Sequence, residues 1–176
     1  MKYLRRMLFF IARKLVLYTL CAALMIYAFY LAYNLGNAYI LVSEGMQKRV
    51  DVCLTREDYA ALNKYFSASF LSADPVLAAA WTEASPYFFY NISSYEYDIS
   101  VSRLRWHPRR GTVTCVVTER VTDINGRVKA EYASKAAPDI VPWKSTRYTV
   151  TLHKQSGSEW IITGLEQDLS YKDTDS

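Results

Sequence analysis

The chain has little of what builds loops, disulfides and metal centres. Its 176 residues include six glycines, five prolines, three cysteines and two histidines. Scarce glycine and proline argue against collagen-like and low-complexity classes. No Cys-x-x-Cys pair, cysteine–histidine cluster or glycine-rich phosphate loop is present, which argues against zinc, redox and nucleotide sites. We therefore expect no metal and no cofactor.

The cysteines leave the redox compartment open. Cys21 lies in an apolar run, Cys53 in a predicted helical stretch and Cys115 on a predicted strand. A bridge between Cys53 and Cys115 is one interpretation, but no spacing signature supports it. We predict instead that the cysteines are small buried apolar residues.

Positive charge is concentrated at the N-terminus. Residues 1–14 contain five basic side chains and no acidic one, and we interpret them as a cytoplasmic tail. The whole chain carries +4, so the remainder carries −1, with both signs interspersed. A nucleic-acid-binding domain should show a basic face. We therefore expect no nucleic-acid partner.

Residues 15–33 contain no charged side chain, and apolar character continues weakly to Val42. A bilayer core of about 30 Å needs about 20 apolar helical residues, so we predict a transmembrane helix over 15–42. The basic flank places the N-terminus in the cytoplasm by the positive-inside rule, with the C-terminal domain extracytoplasmic. A cleavable signal peptide is the alternative, but the run is long and a small-x-small cleavage site fits poorly. We predict an uncleaved anchor in a cell membrane.

The remaining residues predict one α+β domain. Residues 43–54 are interpreted as a helical linker that leaves the bilayer, 55–170 as the domain and 171–176 as a polar tail. Thr55 can cap a first helix, whose apolar face includes the aromatic side chains of Tyr59 and Tyr65. Asp74 followed by Pro75 is typical of the start of a second helix.

The pattern then changes to strand alternation. Tyr97, Ile99 and Val101 alternate with polar residues, and the parity slips near Ser102-Arg103, which predicts a β-bulge. The Asn125-Gly126 pair predicts a hairpin turn. We expect five antiparallel strands: from 97, from 113 to 121, from 128 to 132, from 148 to 152, and from 160, the last two joined by a turn at Ser156-Gly157-Ser158.

The stretch RYTVTLHKQSGSEWIITGLEQ, ending in a strand that begins Trp160-Ile161-Ile162, resembles the closing hairpin of the nuclear transport factor 2-like (cystatin-like cone) superfamily. The resemblance implies a curved antiparallel sheet wrapped around two or three helices. With the anchor added, the plan is similar to TcpC-type assembly proteins of conjugation and type IV secretion machines. It also fits regulators of cell-envelope or sporulation complexes. The implied role is a scaffold without enzymatic activity, whose partners are the lipid bilayer, membrane-complex proteins or further copies of the chain.

The runner-up function is a small-ligand-binding or isomerase-like domain with a polar pocket inside the cone. On strand parity, Asp98 should face solvent, whereas Glu119 is the one acidic residue predicted to point inward. Exposure at the sheet edge, or pairing with a residue such as Arg120 or Arg147, is the simpler explanation for Glu119, because buried carboxylates are usually paired. Tyr59 and Tyr65 are expected in the core. Glu119 is thus a weak catalytic candidate.

Two apolar segments are candidates for partner contact. One is a run of four aromatic residues between a helix and a strand, and the other is a proline-bounded loop over 137–143. Such segments either close the open end of the cone or form an exposed patch, since tyrosine and phenylalanine are enriched at interfaces. The predicted interaction residues are Tyr87, Phe88, Phe89, Tyr90, Ile140, Val141 and Trp143.

Overall fold

A computed structural model describes residues 2–155 and 159–172 of the chain. The chain divides into two compact units, Met1–Gly36 and Asn37–Ser176. A single long helix, α1 (Lys2–Thr55), supplies most of the first unit and enters the second. The turn predicted at Ser156-Gly157-Ser158 and the end of the predicted polar tail, 173–176, lie outside the described residues.

In the first unit, the apolar side chains of the helix are exposed. Every side chain from 9 to 30 is exposed, and this helix is long and apolar enough to cross a membrane. Two of its polar side chains bond to the helix backbone: the Thr19 hydroxyl donates to the Leu15 carbonyl at 2.8 Å, and the Asn34 amide donates to the Tyr30 carbonyl at 2.8 Å.

The second unit is built on the C-terminal part of α1. Five fully buried apolar side chains recur every fourth residue and form one stripe: Ala38, Val42, Met46, Val50 and Leu54. Gly45 lies beside this stripe, where a Cβ atom would sit 3.0 Å from Tyr65 Cβ and 3.1 Å from Ile162 Cδ1. Residues 43–54, interpreted from sequence as a helical linker, are helical and contribute buried side chains to the core of this unit.

Three short helices follow α1, and one predicted start is wrong. Thr55 ends α1 instead of capping a new helix, because its hydroxyl donates to the Asp51 carbonyl at 2.9 Å and the left-handed Arg56 and Asp58 then turn the chain. A 3₁₀ helix spans Tyr59–Lys64, α2 spans Ala68–Ala73 and α3 spans Pro75–Ala80. The start predicted at Asp74-Pro75 is confirmed, because the Asp74 carboxylate accepts hydrogen bonds from the first two free amides of α3.

The strands form one antiparallel sheet in the order β1-β2-β3-β4. The fold class α+β is confirmed, while the sheet stays open and the nuclear transport factor 2-like cone remains a prediction. Five strands were expected and four are seen in the described residues. They are β1 (Tyr90–His107), β2 (Thr112–Val128), β3 (Thr146–Lys154) and β4 (Trp160–Gln167).

The missing strand results from a hairpin that does not form. β2 continues through Asn125-Gly126, where Asn125 pairs with Ser94 and Gly126 pairs with Ile92. A Cβ atom at Gly126 would lie 2.6 Å from the Asn91 carbonyl oxygen, so glycine permits a close approach of strands here and does not form a turn. The third strand predicted over 128–132 is replaced by a 3₁₀ helix at Ala130–Tyr132.

The bulge predicted at Ser102-Arg103 is confirmed. The β1–β2 register shifts between Ser102 and Arg105, and Arg103 has a left-handed backbone with φ of 51°. The extra residue inverts the face on which the following side chains point.

The close packing at Gly45 gives a first prediction. Gly45→Leu should lower the free energy of unfolding by about 1–3 kcal/mol, because the new side chain must displace Tyr65 and Ile162. Gly36→Leu is the matched control on the same helix, since nothing lies within 4 Å of a Cβ atom there. Thermal unfolding of the detergent-solubilised chain measures both. Equal stability of the two variants would contradict the packing described here.

Candidate functional site

A buried ion pair joins α1 to the start of α3. Arg49 Nε lies 2.7 Å from Asp74 Oδ2 and Arg49 Nη2 lies 3.2 Å from Asp74 Oδ1, with both side chains almost fully buried. The guanidinium also stacks over the Tyr148 ring, 5.7 Å from its centroid. Asp74 therefore neutralises Arg49 and caps α3 with the same carboxylate, which offsets the cost of burying the charges.

Glu119 lies in the same interior without such compensation. It is fully buried on β2, as its strand parity predicted. Among the described residues, neither of its carboxylate oxygens has a hydrogen-bond partner. Neither Arg120 nor Arg147, the partners predicted from the sequence, therefore donates a hydrogen bond to it, and Arg147 donates to Thr118 at 3.4 Å. Arg49 Nη1 and the Tyr97 hydroxyl are also buried without a hydrogen-bond partner in the described part of the chain.

Burial governs the protonation of this cluster. Loss of hydration raises the pKa of Glu119, and the positive charge of Arg49 opposes that rise without reversing it. Burial also raises the pKa of Tyr97, and the nearby Glu119 carboxylate adds to the effect. The charged form of each group is therefore disfavoured. The cluster can hold a protonated carboxyl group, but its full burial keeps that group away from solvent.

The buried cysteines and the metal-binding residue types are further groups that could carry chemistry in this domain. Burial raises the pKa of the Cys115 thiol to about 12, so it is a poor nucleophile at neutral pH. The Cys53–Cys115 bridge is not formed, since both cysteines are free. Within the described ranges, no group of three histidine, cysteine or acidic side chains could hold a metal ion.

The remaining residues singled out from the sequence lie in different environments. Asp98 is exposed, as predicted. Tyr65 is half-buried and its hydroxyl donates to Glu44 at 3.2 Å. The core position predicted for Tyr59 is wrong: it is 37% exposed and makes an edge contact with Trp81, with ring centroids 6.4 Å apart. Because its helix is 3₁₀ and not α, the periodicity used for that prediction does not apply.

The two apolar segments predicted for partner contact pack against each other. Tyr87 stacks on Trp143 with ring centroids 5.7 Å apart, and the Tyr90 hydroxyl donates to the Ala137 carbonyl at 2.9 Å. Tyr87 and Tyr90 are 7% and 3% exposed, so these two side chains lie in the interior and their role in partner contact stays a prediction. Ile140 and Trp143 are half-buried against a core cluster that also contains Val50, Leu54 and Val121. Val141 is 47% exposed.

Phe88 and Phe89 behave differently and form part of a half-exposed patch. The rings of Phe88, Phe89 and Tyr132 lie with centroids 5.3–5.6 Å apart. Arg56 stands 5.7 Å and Lys129 5.1 Å from the Phe88 centroid. We name these five residues the aromatic–cation patch. Sequence reasoning missed Arg56, Lys129 and Tyr132, because it placed Arg56 in a helix and Tyr132 on a strand.

The patch is held in place by the backbone. Arg56 donates to the carbonyls of Tyr87 and Tyr90 at 3.1 and 2.9 Å, so its guanidinium closes the end of the aromatic run. Burial lowers the pKa of Lys129, and the positive charge of Arg56 adds to this effect. Two cations thus share one aromatic surface, which favours contact with a group of negative charge.

No family model, curated protein or solved structure matches the chain.

The buried carboxyl group gives a second prediction. Because the pKa of Glu119 is higher in the folded chain than its unfolded value of about 4.3, the folded state binds the proton more tightly. Stability should fall as pH rises from about 4.3 through the raised pKa. The loss is about 1.4 kcal/mol for each pH unit by which the folded pKa exceeds the unfolded one. Glu119→Gln should remove this pH dependence and be more stable than the parent at neutral pH.

The matched control is Glu96→Gln on the exposed face of β1, which should change stability by less than about 0.5 kcal/mol. Urea unfolding between about pH 4 and pH 8 measures all three proteins. A Glu119→Gln variant that is less stable than the parent at neutral pH would instead indicate an ionised Glu119 bound to Arg49.

Proposed function

We propose that this chain is a single-pass membrane protein without enzymatic activity, whose α+β domain binds partner proteins in a membrane complex. The proposal rests on a difference in side-chain exposure between two parts of α1. Residues 9–30 expose apolar side chains on every side of the helix, whereas residues 38–54 bury one stripe in the domain. A helix that is apolar all round needs an apolar surrounding.

The geometry of the helix fits a bilayer. The uncharged run over 15–33 is about 28 Å long at about 1.5 Å per residue, close to a hydrocarbon core of about 30 Å. The Thr19 hydroxyl donates to the backbone of its own helix, so this polar group has a hydrogen-bond partner even where no water is present. Arg13 and Lys14 stand just before the run, so the proposed orientation is N-terminus in the cytoplasm.

The aromatic–cation patch is the proposed partner-binding surface. It combines half-buried rings with two cations that form no ion pair among the described residues. Aromatic and arginine side chains are enriched at binding hot spots. The proposed partner is therefore a protein with an acidic surface. Because the proposed arrangement is an anchor followed by an external domain, we propose that the complex belongs to a conjugation, type IV secretion or cell-envelope system.

The alternative function, a small-ligand or isomerase-like site at Glu119, rests on its unpaired carboxyl group and raised pKa. Full burial of the side chain weighs against it, since a substrate must reach the carboxyl group.

The anchor is tested by extraction and topology. Alkaline carbonate should leave the full-length chain in the membrane fraction, and protease added outside spheroplasts should digest the domain while an epitope on the N-terminus stays protected. Replacing the five basic tail residues with glutamine should produce a mixed orientation. Release by carbonate, or an intact mass lacking the apolar run, would reject the anchor in favour of a soluble protein or a cleaved signal peptide.

The partner surface is tested by charge reversal within the patch. Lys129→Glu combined with Phe89→Ala should reduce partner recovery after cross-linking in native membranes by at least about tenfold, with the domain still folded. Tyr59→Ala is the matched control, because it removes an exposed aromatic side chain from outside the patch. Unchanged recovery with the double variant, or equal loss with the control, would show that partners bind elsewhere.

A further inference from the structure

Strand β1 leaves one edge of the sheet open along its length. It is the first strand in the order β1-β2-β3-β4, and its main-chain pairing within the described residues is to β2. The far edge differs, because β4 is bridged at Ile162 by Phe66: Ser67 donates to the Ile162 carbonyl at 2.9 Å and Ile162 donates to the Tyr65 carbonyl at 2.8 Å. An 18-residue strand with a free edge is a template for a further strand.

The charges along β1 are arranged with opposite signs on the two sides of Ser100. Glu96 and Asp98 precede it and Arg103 and Arg105 follow it, all four exposed. On the β2 side, Glu96 and Arg105 face only Thr122 and Thr114. None of the four forms an ion pair in the part of the chain that the structure describes.

We propose that β1 pairs with β1 of a second copy of this chain, antiparallel and about a two-fold axis at Ser100. In this register Ser100 lies opposite its own copy, and Asp98 lies opposite Ser102. Beyond the bulge, Tyr97 lies opposite Leu104 and Glu96 lies opposite Arg105. Two-fold symmetry makes each contact twice.

The bulge makes this register consistent on both faces. Side chains opposite each other in a ladder must share a face. Over residues 95–102 the even-numbered side chains are exposed and the odd-numbered ones half-buried, and after Arg103 the order is reversed. If residues are paired outward from Ser100 and Arg103 is skipped as the extra residue of the bulge, exposed side chains lie opposite exposed ones. Exposed Glu96 then lies opposite exposed Arg105. Half-buried Tyr97 meets half-buried Leu104, and Arg103 itself then stands beside the partner copy's strand near Tyr97.

Charges and bulges on edge strands usually prevent pairing. Here a parallel second strand in register would place like charges together, and an antiparallel strand shifted by one residue would set charged side chains opposite half-buried apolar ones. The antiparallel alignment about Ser100 avoids both conflicts and sets Glu96 opposite Arg105, which has the opposite charge. This pairing does not depend on the proposed membrane function, and its test is independent of partner capture.

Cysteine cross-linking of the full-length chain tests the register. In a Cys21→Ser background, which leaves only the buried Cys53 and Cys115, Ser100→Cys should form a disulfide-linked dimer under mild oxidation in detergent. Directly opposite residues have Cα atoms about 4.5–5.5 Å apart, within disulfide range. Ser102→Cys alone should link poorly, because its two copies stand about 13 Å apart along the strands. Mixed with Asp98→Cys, it should link well.

The matched control is Thr149→Cys on the exposed side of β3, which should not link. Charge reversal supplies a second readout: E96R or R105E alone should slow linking of Ser100→Cys by about tenfold, and the double variant E96R/R105E should restore it. Linking of Ser100→Cys no faster than Thr149→Cys, efficient linking of Ser102→Cys alone, or failure of the double variant to rescue would overturn the proposal. Thermal midpoints equal to the parent show that each variant remains folded.

Discussion

The burial of one stripe of α1 is the constraint on which the second unit depends. Residues from Ala38 to Leu54 contribute a fully buried side chain at each turn. The missing side chain of Gly45 lets Tyr65 and Ile162 approach the helix backbone. At roughly 1.5–3 kcal/mol for each fully buried large aliphatic side chain, this stripe is a major source of stability for a small domain. The sheet and the short helices are arranged around it.

The buried polar groups in this core differ in how well they are hydrogen-bonded. Arg49 and Asp74 form two hydrogen bonds with each other, whereas Glu119 accepts no hydrogen bond in the described structure. Neutralisation by protonation is the less costly state for a carboxyl group in such surroundings. This difference separates a structural ion pair from a group whose charge depends on its environment. It also explains why an inward acidic residue is, by itself, weak evidence of catalysis.

Sequence reasoning succeeded where one local signal decides the structure. The apolar run, the cap at Asp74 and the parity slip at Arg103 each depend on a few neighbouring residues, and all three appear in the fold. It failed where distant contacts decide. Gly126 is part of a turn signal, but the approach of Asn91 from another strand keeps β2 extended. The aromatic–cation patch was missed for the same reason, since Arg56 meets Phe88 only after the chain has turned.

The position of Asp74 in the chain has a consequence for the order of synthesis. Arg49 lies 25 residues before its partner, whereas Glu119 and Tyr148 come much later in the chain. A nascent chain can therefore pair Arg49 with Asp74 and cap α3 before any strand has left the ribosome. The guanidinium then meets the later strands already neutralised. Residues 37–80 can therefore pack before the sheet exists, so a substitution at Asp74 is expected to slow folding rather than mainly to speed unfolding.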